Sequence, residues 1–113
     1  MKFEKKSPPR KFSVGMNKEI FISDCGNIFL NHNEQISFLT EDLKEYDIVR
    51  KKWGYYATPS INGRLANQGF KTALVKNMNG MRYIMIVEES KIDSFKAYLK
   101  KEKNQLVEWL DET

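Results

Sequence analysis

The chain has one cysteine, Cys25, and one histidine, His32. A single thiol cannot close an internal disulfide, so the expected setting is reducing and the expected location is the cytoplasm. One Cys and one His cannot complete a tetrahedral zinc site without several carboxylates. A thiolate–imidazole pair needs hydrogen-bond reach. Cys25 and His32 instead fall in turns at the two ends of a short strand read at residues 28–30, about 10 Å apart at the rise of an extended chain. Both are read as turn residues.

Other scarcities exclude further classes. No apolar run approaches the ~18 residues of a membrane span, and the longest, Tyr83-Ile84-Met85-Ile86-Val87, is strand-sized. The basic start Met1–Lys6 is followed by no apolar stretch of the kind a secretory signal carries. Gly54, Gly63 and Gly69 are nine and six residues apart and match neither common phosphate-loop spacing. The acidic run 41–47 lacks the glycine and the closing bidentate acid of a calcium loop. No cofactor, metal or membrane role is implied, and no repeat of solenoid length is present.

The 113 residues, 41% hydrophobic and 12% aromatic, have the size and composition of one globular domain. The formal charge of +4 is unevenly spread. Residues 1–11 hold five basic side chains against one acidic, and the remainder holds fourteen of each. Ser7-Pro8-Pro9 favours extended backbone. Residues 1–11 are therefore expected to be a flexible basic tail, with 12–113 as a single domain. The tail reads first as a solubilising arm and second as an arm that touches an acidic partner or phosphates.

Short apolar runs punctuated by turn residues indicate antiparallel strands. Residues 18–23 and 28–30 flank Asp24-Cys25-Gly26-Asn27, expected as a hairpin turn. A third strand follows at 35–40 and a fourth begins at Tyr46. Pro59 ends the strand that holds Tyr55 and Tyr56. Ser60 is the expected N-cap of a helix over 61–68 closed by Gly69. Asn79-Gly80 marks a hairpin between 70–76 and 81–88. The second arm, apolar on both faces, is expected to be a central strand. Ser90-x-x-Asp93 has capping-box spacing, and Ile92, Phe95 and Leu99 form one helical stripe. Leu106, Trp109 and Leu110 either continue that helix or form a last short element after a break at Lys103-Asn104. The fold class is α+β: mainly antiparallel sheet, about six strands and compatible with a rolled or barrel-like closure, with a short middle helix and a C-terminal amphipathic helix.

Candidate binding chemistry concentrates in Arg50–Leu65. Arginine is scarce, four against fifteen lysines, and its planar fork suits carboxylate or phosphate. Arg50 and Arg64 bracket Trp53, Tyr55 and Tyr56. In an extended segment Trp53 and Tyr55 share a face. With the amide of Asn62 they could build a stacking wall for a sugar, a nucleobase or an unpaired nucleic-acid base. Aromatic residues equally fill cores, so Trp53 and Tyr55 could also face inward. The leading expectation is a non-catalytic binding or accessory domain for an anionic small ligand, sugar or nucleotide, or for a protein partner. Its ligand-binding residues would be Arg50, Trp53, Tyr55, Tyr56, Asn62 and Arg64. The alternative is single-stranded nucleic-acid binding through Lys51-Lys52-Trp53-Gly54-Tyr55-Tyr56 and the basic tail. A small enzyme with no nameable base ranks third. A homodimer through an exposed strand or the last helix is compatible with a chain this small.

Overall fold

The computed structural model describes residues 1–112. In chain order the elements are β1 (Lys2–Val14), β2 (Ile20–Phe29), β3 (Gln35–Leu39), β4 (Glu45–Lys51), β5 (Gly54–Ala57), α1 (Arg64–Asn67), β6 (Phe70–Lys76) and β7 (Arg82–Glu88). A 3₁₀ turn, Glu89–Lys91, leads into α2 (Ile92–Lys101), and β8 (Gln105–Trp109) is the last strand. The architecture is α+β, with eight strands among the described residues forming sheets β1-β2, β3-β4-β5 and β7-β6-β8. The chain divides into two compact units, Met1–Ser37 with Asp47–Ala57, and Phe38–Tyr46 with Thr58–Thr113.

In the first unit, residues 2–11 are not a flexible arm. They make up most of β1, paired antiparallel with β2. Composition alone carries no sign of a partner strand for residues 1–11, and β2 supplies one. The prolines leave their mark in the register: Lys5 lies opposite Gly26 and Arg10 opposite Asp24, so residues 6–9 bulge past a single residue of β2. Proline has no N–H to give to a ladder. Asp24 closes the bulge, accepting Lys6 Nζ at 2.5 Å and Arg10 Nε at 3.3 Å. The hydrogen bond from Lys6, joined by that from Arg10, holds the Asp24 carboxyl below its usual range.

The turn expected at Asp24–Asn27 is strand, because β2 runs through it, and the chain reverses at 15–19 instead. Gly26 serves close approach. A Cβ there would stand 2.5 Å from the Glu4 carbonyl oxygen and 2.9 Å from Phe3 Cε2.

In the second unit β6 is the central strand, between β7 and β8. Ala73, Val75, Val87 and Leu99 form the core, with Met85, Ile92, Phe95, Leu106 and Trp109 packed against it. Phe95 and Trp109 meet at a ring-centroid distance of 5.8 Å. The stripe expected on α2 is thus the face that covers the sheet, although the Ser90 capping box is not formed. Lys103 adopts φ 54°, which ends the helix, and β8 pairs with β6. The C-terminal segment is therefore a separate element. β7, expected to be central, is an edge strand: the second apolar face that suggested burial includes Ile84, which is 56% exposed.

The middle helix is shorter than expected. Gly63 has non-helical torsions, so residues 61–63 form a turn and only Arg64–Asn67 are helical. Ser60 is not the N-cap, a position Gly63 takes, although its Oγ accepts the Arg64 N–H at 3.0 Å. Leu65 is 1% exposed, and Gly69 closes the turn at φ 86°.

Candidate functional site

Four of the six expected ligand-binding residues belong to one hairpin in the first unit. β4 and β5 pair with Val49 opposite Tyr56, Arg50 opposite Tyr55 and Lys51 opposite Gly54, leaving Lys52-Trp53 as the two-residue turn. Trp53 is 72% exposed, Tyr55 67% and Tyr56 50%. The inward-facing alternative for these rings does not hold. The alternation argument also fails for Trp53, which sits in the turn and not in extended backbone. Tyr55 and Tyr56 follow one another in β5 and project to opposite faces.

Arg50 is a brace. Its Nη1 donates to the carbonyls of Lys51 and of Gly54, the latter at 2.9 Å, and its guanidinium lies 5.1 Å from the Tyr55 ring centroid. It fixes the turn and the ring together, so its fork works on its own hairpin. The backbone of the same residue ties the hairpin to the preceding turn. Asn33 N–H donates to Arg50 O at 2.7 Å, and Arg50 N–H donates to Glu34 O at 3.0 Å. Lys51 Nζ donates to Asn33 Oδ1 at 2.6 Å.

Glu34 carries the chain of contacts on to β1. Its carboxylate accepts the Asn31 N–H at 2.7 Å and pairs with the N-terminal ammonium at 3.0 Å. The Asn31 hydrogen bond, then that of the N-terminal ammonium, lowers the Glu34 pKa. The start of the basic strand is therefore anchored beside the hairpin that bears the aromatic rings. Sequence reasoning missed Asn33 and Glu34, which were legible only as turn formers. No local signal marks a turn residue as the link between two other elements.

The charge follows the same division. The first unit carries nine basic and five acidic side chains, a net of +4, and the second carries ten of each.

Asn62 and Arg64 belong to the second unit. Asn62 is exposed in the turn before α1. Arg64 donates from Nη2 to Thr58 Oγ1 at 3.2 Å and has Nη1 3.9 Å from Glu45 Oε2. Glu45 and Thr58 thereby hold Arg64 in its own unit.

Cys25 lies in β2, exposed, with Sγ 3.5 Å from the Ser23 carbonyl oxygen, and His32 is exposed in the turn after β2. Among the described residues no three His, Cys, Asp or Glu side chains are placed to hold a metal ion. No helix among the described residues is long and apolar enough to cross a membrane. Comparison of the chain with protein-family models, with curated proteins and with solved structures finds no match.

Proposed function

We propose that the chain is a non-catalytic binding module that takes single-stranded nucleic acid on the β4–β5 hairpin, with β1 as an electrostatic flank. The observation that carries this reading is the exposure of Trp53, Tyr55 and Tyr56 on one short hairpin with Lys51 and Lys52 at its turn. A small-ligand site is concave and buries most of its ligand. Trp53 at the turn and the two exposed tyrosines on opposite faces of β5 suit a polymer that wraps the hairpin, and every base has a face to stack. The +4 charge of the same unit supplies sequence-independent attraction to phosphates. The leading expectation from sequence, an anionic small ligand, needed Asn62 and Arg64 as well, and Arg64 is engaged by Thr58 and Glu45.

The test is fluorescence anisotropy of a labelled single-stranded oligonucleotide, with Trp53 emission followed in a Trp109→Phe background. Expected are binding that weakens steeply with salt and quenching of Trp53 as a base stacks on it. Each of Lys51→Ala and Lys52→Ala should flatten the salt slope by about 0.7. Absence of binding at low salt would end this reading.

A further inference from the structure

In the second unit a groove of about 540 Å³ runs along β7. One wall is residues 85–88, four in succession, the other is Ser94, Phe95 and Tyr98 of α2, and Thr40, Phe70 and Lys91 complete the lining. Successive strand residues point to opposite faces, so four in a row meet a groove only along the strand's backbone edge. β7 is paired with β6 without a shift from Phe70 opposite Glu88 to Lys76 opposite Arg82. Among the described residues no strand pairs with its other edge. α2 and Thr40 flank its second half, but the strand itself does little to blunt that edge. It carries no proline, no bulge and no interior lysine, and five apolar residues separate Arg82 from Glu88. Tyr83 is 46% exposed and Ile84 56%.

We propose that this edge is a homodimer interface, in which β7 of two copies pair antiparallel about a two-fold axis at Met85 and join the two three-stranded sheets into one. The argument for a second copy as the occupant is charge complementarity. β7 is basic at its first residue, acidic at its last and apolar between. In a two-fold antiparallel pair, opposed residues share a sheet face, so the axis must pass between the two copies of a single residue. The register centred on Met85 places Arg82 opposite Glu88 of the second copy at both ends. It also sets Tyr83 against Val87 and Ile84 against Ile86, and no like charges meet. Glu88 already binds Lys44 through Oε1 at 3.3 Å and Lys91 through Oε2 at 3.1 Å. A carboxylate has about four acceptor positions, so Arg82 adds to these contacts and displaces neither. The α2 stripes of the two copies then lie on the same face of the joined sheet. This inference does not depend on the β4–β5 hairpin.

Sedimentation equilibrium tests it. The wild-type chain should show a monomer–dimer equilibrium at micromolar concentrations. Arg82→Glu alone and Glu88→Arg alone each create two like-charge pairs, and each should raise the dissociation constant about tenfold or more. An equimolar mixture of the two variants should restore a heterodimer, because each then supplies the charge the other lacks. In a Cys25→Ser background, Met85→Cys should oxidise to a covalent dimer, since residues on the axis come within disulfide range. A chain that stays monomeric throughout overturns the interface. Dimerisation that Arg82→Glu leaves unchanged, or a wild-type dimer that Met85→Cys does not cross-link, overturns this register. A foreign strand as the occupant would appear as the first of these outcomes.

Discussion

Arg50 stands directly across the β4–β5 ladder from Tyr55 and lays its guanidinium 5.1 Å from the centre of that ring. The same group donates to the carbonyls of Lys51 and Gly54, so one side chain holds both the turn and the exposed aromatic surface. Hydrogen bonds from a charged group and a partly exposed cation–π contact together give Arg50→Ala an expected cost of about 1–2 kcal/mol in urea unfolding. Arg50→Lys should recover less than half of it, because lysine lacks the planar fork.

The rings themselves support no core, so their loss should separate binding from folding. Trp53→Ala and Tyr55→Ala should each weaken the oligonucleotide by roughly 5- to 100-fold, the range for one lost base–aromatic stack. For Trp53→Ala the unfolding midpoint should stay near that of the wild type, as is usual for exposed positions away from special contacts, whereas Tyr55→Ala also gives up the Arg50 contact and should cost about 0.5–1 kcal/mol. Equal losses of affinity and of stability would instead make these residues structural.

Gly26 is required by the neighbouring strand. A methyl group there meets the Glu4 carbonyl and the Phe3 ring, so Gly26→Ala should cost about 1–3 kcal/mol, as overpacking commonly does. Hydrogen exchange should locate the damage, with amides of β1 and β2 losing protection while those of β6 keep theirs.

Asp111 ties the end of the chain to the central strand of the second unit. Its Oδ2 accepts Lys71 Nζ at 2.9 Å and its Oδ1 accepts the Thr72 N–H at 3.0 Å. Burial alone would raise the Asp111 pKa, but the Lys71 and Thr72 hydrogen bonds together outweigh it and the net shift is downward. The Lys71 pKa moves up, chiefly through its hydrogen bond to Asp111 and then that to Glu112. A depressed carboxyl contributes stability that is fully present above its unfolded pKa near 3.9 and is lost as pH falls through the lower folded value. A raised ammonium contributes below its unfolded pKa near 10.4 and loses that contribution as pH rises through the higher folded value. The pair should therefore stabilise the fold across the range from about pH 4 to about pH 10. Asp111→Asn should remove the acid-side part, lowering stability at neutral pH by about 1–2 kcal/mol and flattening its dependence below pH 4. Thermal melts at stepped pH would show it.

Leu65 is the one fully buried side chain of the middle helix. Leu65→Ala should cost about 2–5 kcal/mol, as deletion of a buried leucine side chain does elsewhere. A smaller loss, read from denaturant midpoints, would mean that the site collapses around the gap.

Much was settled by local pattern. Asn79-Gly80 makes its hairpin, with Asn77 Oδ1 accepting the N–H groups of Asn79 and Met81 and Gly80 at φ 81°. Ile92, Phe95 and Leu99 lie on the covered stripe of α2 because a 3.6-residue period leaves no other place for them. The α+β class follows from the same two periods. The aromatic concentration at Trp53, Tyr55 and Tyr56 was also plain in the sequence, though not its exposure.

What only the tertiary structure decided is pairing. Asp24-Cys25-Gly26-Asn27 has turn composition, and it is strand because β1, thirteen residues long, lies alongside it. Residues 1–11 look like a solvated arm by charge, and they are ordered because β2 supplies a ladder and Asp24 supplies a counter-charge. Alternation along β7 shows two apolar faces but cannot show which edge meets a neighbour. Sequence periodicity records the face a residue takes within its own element, whereas strand order and the company kept by Arg50 and Arg64 depend on contacts between segments far apart in the chain.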